Sequence, residues 1–204
     1  MNLPNKLTVT RCILAMVFVG LMSFESVVTY ILAYVTFIAA SVTDYYDGKI
    51  ARQRNLITDF GKLIDPVADK VLMVAAFVML MKIPALRIPG WAIVMILARE
   101  FLVTGARSLA ATGGAVISAS QWGKIKTLCQ MIYVFTFLFL AIFLQALDDY
   151  AVLRDLLPGR LEWYVTGIGI ASMVSIALVS LYTVCSGIEF AWSNWKALKL
   201  GQSL

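Results

Sequence analysis

The sequence predicts an all-α integral membrane protein of six transmembrane helices, with short interfacial helices at the termini. Three observations carry that expectation. Of 204 residues, 61% are hydrophobic and only 14% charged, whereas soluble domains run at about 45–50% and about 25%. The mean hydropathy is +0.85. The apolar residues fall into six stretches, and six crossings at roughly 20 residues each take up about 120 positions. No large soluble domain fits in the remainder, so residues 1–204 read as a single membrane domain. This composition excludes both an ordinary soluble domain and a disordered chain.

The stretches come in order. Leu7 to Phe24 is apolar apart from Arg11. Ser26 to Thr43 is uncharged and runs straight into Asp44. Leu63 to Met81 carries Asp65, Asp69 and Lys70. Ile88 to Ala111 carries Arg99, Glu100 and Arg107. Thr127 to Leu147 and Trp163 to Ile188 are free of charge and pass the simplest test for a span. The connections expected on the outer side are Glu25-Ser26, a turn at Pro84–Pro89 and a loop from Asp148 to Glu162. In the tail, Trp192, Trp195, Lys196 and Lys199 fall at i, i+3, i+4 and i+7. That spacing suits an interfacial helix; a continuation of the last span fits it as well.

Charge sets the orientation. The side holding both termini carries 13 Lys and Arg, and the opposite side 4, namely Lys82, Arg87, Arg154 and Arg160. Both termini are therefore expected to be cytoplasmic. The net charge of +5 reads as basic residues at an anionic lipid surface, not as a nucleic-acid site, since no compact basic domain exists to hold one. Cys12, Cys129 and Cys185 lie in apolar segments without paired spacing and read as small core residues. With no His in the chain, His-based catalysis and His metal ligation are excluded. No signal-peptide cleavage site follows the first apolar run.

Ionisable residues inside membrane segments are costly and mark function by default. Most of them lie between Asp44 and Asp69. On helices, Asp44, Asp47, Gly48 and Ala51 fall at i, i+3, i+4 and i+7, one stripe. Gly61, Asp65 and Asp69 fall at i, i+4 and i+8, a second. A short turn near Gln53–Thr58 would fold the two helices antiparallel and bring four carboxylates together. Bare, they would repel. Hard divalent cations, magnesium or manganese, resolve this and share their ligands with substrate phosphates. A two-ion site would clamp the attacking and leaving oxygens of a displacement at phosphorus. Gly48, Ala51 and Gly61 leave room for close approach, or serve helix packing. Arg52 is placed to bind a phosphate oxygen. The alternative for the acids is salt bridging to Lys49, Lys62 and Lys70, and for Thr58 a helix cap.

This segment matches D-x2-D-G-x2-A-R-x8-G-x3-D-x3-D at eight fixed positions over 26 residues. It resembles the signature of the CDP-alcohol phosphatidyltransferases, and length and span count extend the likeness over essentially the whole chain. The resemblance implies a bacterial plasma-membrane enzyme, arranged as a homodimer, with its active site facing the cytoplasm. It implies a CDP-linked lipid, usually CDP-diacylglycerol, whose pyrophosphate rests on the metals while an acceptor hydroxyl attacks the β-phosphorus and CMP leaves. Asp44, Asp47 and Asp65 would be metal ligands. Asp69 would be a metal ligand or the general base, the base being the preferred role. Asn5, Thr8, Gly48, Ala51, Arg52 and Thr58 would line the CDP-lipid side.

Arg11, Arg99, Arg107, Lys124 and Lys126 lie toward the same membrane face and suit an anionic acceptor, most simply a phosphate monoester. Positive-inside loop charge is the alternative for Lys124 and Lys126. For Arg99 it is a salt bridge to Glu100 or to an Asp of the hairpin. The segments Asn2–Thr8, Asp65–Lys70, Ala98–Glu100 and Gly123–Thr127 are similar to family members whose acceptor is glycerol 3-phosphate. Phosphatidylglycerol and an inositol phosphate are the rival acceptors. A divalent-cation or proton transporter and a membrane scaffold are the rivals of another class. A transporter needs relay groups across the whole thickness, and the four Asp lie toward one face only.

Overall fold

The computed structural model describes residues 3–54, 59–112, 117–118, 120–150 and 161–195, with side chains described at 9–43, 70–111, 117–118, 120–150 and 161–195. The described chain is all helical. It comprises α1 (Leu3–Met22), α2 (Val27–Arg54), α3 (Asp59–Met81), α4 (Gly90–Thr112), α5 (Gln121–Asp149) and α6 (Leu161–Ser193), with a 3-10 turn at Pro84–Leu86 between α3 and α4. Each of the six expected stretches is a helix.

The helices outrun the apolar stretches that foretold them. α2 continues through the Asp44–Arg52 segment to Arg54, and α3 begins at Asp59, before its apolar run. Backbone hydrogen bonding propagates through polar residues as readily as apolar ones, so hydropathy marks the membrane-facing part and not the helix end. α3 also passes through Pro66, whose missing N–H removes the bond that the Lys62 carbonyl would accept. At the C-terminus α6 runs unbroken past Phe190 to Ser193. These residues continue the last helix; a separate terminal helix is absent among the described residues at either end. Lys196 and Lys199 lie outside them.

The exposed surface is that of a chain made for lipid. Trp163, Trp192, Leu102 and Met16 are each at least 70% exposed, amid many other exposed large apolar side chains. Such a continuous apolar exterior would not persist on a soluble monomer. α5 and α6 are long and apolar enough to cross a membrane. Inside, Phe18, Phe37, Phe77, Leu80, Ile96, Leu138 and Ile176 form one buried cluster. α1 packs on α2 and α3, while α6 packs on α4 and α5. The three cysteines are free. Cys12 and Cys129 are half-buried, but Cys185 is exposed on α6 and is not a core residue; its position in an apolar run did not reveal which face of the helix it occupies.

One end of the bundle is closed by the Pro84–Leu86 turn. Arg87 follows it in the left-handed region at φ 49°, and Leu86 is fully buried. The Ala85 carbonyl lies so close to Gly169 of α6 that a Cβ there would meet it at 2.5 Å. At the same end, Asp149 Oδ2 accepts a hydrogen bond from the Val27 backbone N–H at 2.6 Å, so the end of α5 satisfies an open donor at the start of α2.

Candidate active site

The site begins from helix register. α2 is continuous over Asp44, Asp47, Gly48 and Ala51, and α3 over Gly61, Asp65 and Asp69. The i, i+3, i+4, i+7 and i, i+4, i+8 spacings therefore hold on real helices. The side chains of these residues, and of Asn5, Thr8 and Arg52, lie outside the described set, and Thr58 lies outside the described residues altogether. The described neighbours show where the stripes lead. Ser41 precedes Asp44 by three residues, and Met73 follows Asp69 by four. Both line one cavity of about 320 Å³, one helical turn from the aspartates.

That cavity is walled by five helices. Arg11 comes from α1, Ser41 from α2, Lys70 from α3, Glu100 from α4, and Lys126 and Gln130 from α5, over an apolar floor that includes Phe77 and Ile96. Arg11, Lys126 and Gln130 are each only 4% exposed. Buried cations require compensation, and for Lys126 Glu100 supplies it through an ion pair between Nζ and Oε1. Gln130 Nε2 donates to the same oxygen at 3.5 Å and to Thr183 Oγ1 at 3.3 Å. Lys70 Nζ donates to the Glu100 carbonyl at 2.8 Å and bonds Thr104 Oγ1. It also lies over the Phe101 ring, 5.6 Å from its centroid.

The five basic residues expected at an acceptor phosphate thus occupy four settings. Arg11 and Lys126 line the cavity. Arg99 turns to α6, where Nη2 donates to Ser186 Oγ at 2.6 Å, and Nη1 lies 3.7 Å from Glu100 Oε1. Arg107 sits 5.2 Å over the Phe190 ring, its Nε buried and without a hydrogen-bond partner among the described residues. Lys124 is exposed.

A chain that sets a cationic cavity one turn from D-x2-D-G-x2-A-R-x8-G-x3-D-x3-D, on helices that keep its spacing, has the parts for chemistry on phosphate esters. The sequence model of CDP-alcohol phosphatidyltransferase matches residues 1–154. The chain belongs to the CDP-alcohol phosphatidyltransferase family. This phosphatidyltransferase is 35% identical to the CDP-diacylglycerol–glycerol-3-phosphate 3-phosphatidyltransferase of Bacillus subtilis, over 97% of each chain. It is 41% identical to the protein of the same name from Rickettsia typhi, over 64% of this chain and 72% of that one. It is 33% identical to the probable phosphatidylglycerophosphate synthase of Mycobacterium tuberculosis, over 93% of this chain and 79% of that one.

Sequence reasoning passed over the other half of this network. Glu100 reads there as a charge within an apolar stretch, as part of the Ala98–Glu100 segment and as an alternative partner of Arg99, but not as the partner of Lys126; Gln130, Thr183 and Ser186 carry no reading. On α6, Ser172, Ser180, Thr183 and Ser186 are all buried, and the first, third and fourth bond Tyr133, Gln130 and Arg99. Their spacing of eight, three and three on the uncharged stretch Trp163–Ile188 is the signal that the sequence carries.

Proposed function

We propose that this phosphatidyltransferase moves the phosphatidyl group of CDP-diacylglycerol to glycerol 3-phosphate, giving phosphatidylglycerophosphate and CMP, a step of anionic phospholipid synthesis. The observation that carries the reading is the small cationic cavity one turn from the aspartate stripes. Its volume is near the lower end of the roughly 300–1,000 Å³ typical of ligand pockets. A small phosphate monoester suits it better than the two acyl chains of phosphatidylglycerol. The names of the relatives from B. subtilis and R. typhi point to the same acceptor.

Asp44, Asp47, Asp65 and Asp69 would hold magnesium or manganese, two ions in all, which when bound neutralise the pyrophosphate and polarise the phosphorus. Hard oxygen donors suit those cations. Asn5, Thr8, Gly48, Ala51, Arg52 and Thr58 would seat the CDP-lipid. Arg11 and Lys126 would hold the acceptor phosphate at the cavity wall; Arg99, Arg107 and Lys124 would contribute charge from farther out. Asp69 would accept the proton of the attacking hydroxyl as its oxygen bonds to the β-phosphorus and the bond to the CMP oxygen breaks. Six spans, cytoplasmic termini, a homodimer and a bacterial plasma-membrane location complete the reading.

An acceptor screen tests it. Purified protein with CDP-diacylglycerol and magnesium should release CMP with glycerol 3-phosphate, and far more slowly with phosphatidylglycerol, inositol phosphate or serine. Chelation should stop release, and added magnesium or manganese should restore it. Faster release with phosphatidylglycerol than with glycerol 3-phosphate would overturn the acceptor assignment.

A further inference from the structure

Glu100 stands on the wall of a cavity whose other described charged lining residues, Arg11, Lys70 and Lys126, are cations, and it is the one carboxylate among the described lining residues. Beside an anionic acceptor a carboxylate is unfavourable unless it is committed elsewhere. This one is. Oε1 pairs with Lys126 Nζ, accepts from Gln130 Nε2 at 3.5 Å and lies 3.7 Å from Arg99 Nη1. Stability does not demand the arrangement, because apolar residues commonly replace a buried ion pair at no cost to the fold. Lysine carries a point charge on a flexible four-carbon stem, with much rotamer freedom to lose. A partner that fixes Nζ in advance removes that loss from the binding step.

We infer that Glu100 is a positioning residue for the acceptor: it holds the Lys126 ammonium at the cavity wall, where the phosphate of a small phosphate monoester docks. The inference rests on the cavity being the acceptor site. Glu100 touches neither the reacting phosphorus nor the acceptor; it acts through Lys126, with Gln130 tying the pair to Thr183 of α6.

The experiment uses the full chain in detergent, with CMP release measured against glycerol 3-phosphate and against CDP-diacylglycerol. K126M should raise the acceptor KM tenfold or more. E100Q should raise it about fivefold to tenfold, in the range expected for losing one hydrogen bond, since the glutamine keeps a neutral contact to the ammonium. The KM for CDP-diacylglycerol should stay within about twofold in both. The double variant E100M/K126M should match K126M alone, because a residue acting through Lys126 has nothing left to position. If E100Q does not fold, E100D keeps the charge but draws it back by one methylene, and the same selective rise is expected. If K126M leaves the acceptor KM unchanged, the cavity is not the acceptor site. If K126M raises it but E100Q or its substitute does not, or raises both KM values alike, the positioning role of Glu100 is overturned and the cavity assignment stands.

Discussion

Gly169 and Gly187 sit on one helix and face opposite kinds of neighbour. A Cβ at Gly169 would meet the Ala85 backbone carbonyl at 2.5 Å, and one at Gly187 would meet Arg99 Cγ at 2.9 Å. Backbone held in a closed turn cannot yield, whereas a long side chain can. Gly169→Ala should therefore destabilise by about 1–3 kcal/mol, the usual cost of overpacking. Gly187→Ala should cost less stability but displace Arg99 from Ser186. Thermal unfolding in detergent checks the order of the two, and equal losses would contradict it. Asp69→Asn should abolish transfer while leaving the unfolding midpoint nearly unchanged; retained turnover would remove the base role. At this scale the aspartates were legible, because eight fixed positions in 26 residues allow few readings. The partner of Lys126 was not. Glu100 is 26 residues away on another helix, and only the packing of α4 and α5 on a shared α6 decides that it meets Lys126 and not chiefly its neighbour Arg99.

The six helices were legible from hydropathy, but their ends were not. α2 and α3 carry the aspartate stripes on polar extensions that hydropathy does not mark; the stripe spacing and the turn expected near Gln53–Thr58 do, and the helices end at Arg54 and begin at Asp59. The junction of α5 with α2 gives a pH prediction. Beyond the apolar stretch of α5, the Val27 backbone N–H, and then the Gln145 side chain, hold the Asp149 carboxyl below its ordinary value of 3.8. A lowered native value stabilises the fold above 3.8, and that contribution is lost as pH falls through the native value. Asp149→Asn should flatten this part of the stability profile between about pH 2 and pH 6. A wild-type profile that stays flat there would show that the contact does not register in folding.

For the whole molecule, the apolar exterior and the split of 13 basic residues against 4 predict a fixed orientation. In a chain freed of its own cysteines, one placed at Tyr150 should react with an impermeant thiol reagent from outside the cell. One placed at Lys124 should react only after the membrane is opened. The reverse pattern would invert the topology. Class and family were legible at this scale because they depend on totals and on one compact motif. The cavity was not, since five helices build it and spacing alone reveals only the pairing of α2 with α3.

The order of the helices along the chain has a consequence for how the protein is made. Among the described helices α6 is made last, and its buried Ser172, Thr183 and Ser186 bond Tyr133, Gln130 and Arg99 on helices made before it. Until α6 arrives those polar groups lack these partners, which is costly inside a bilayer. A chain halted after α5 should therefore be degraded faster than the full chain, as pulse-chase labelling would show.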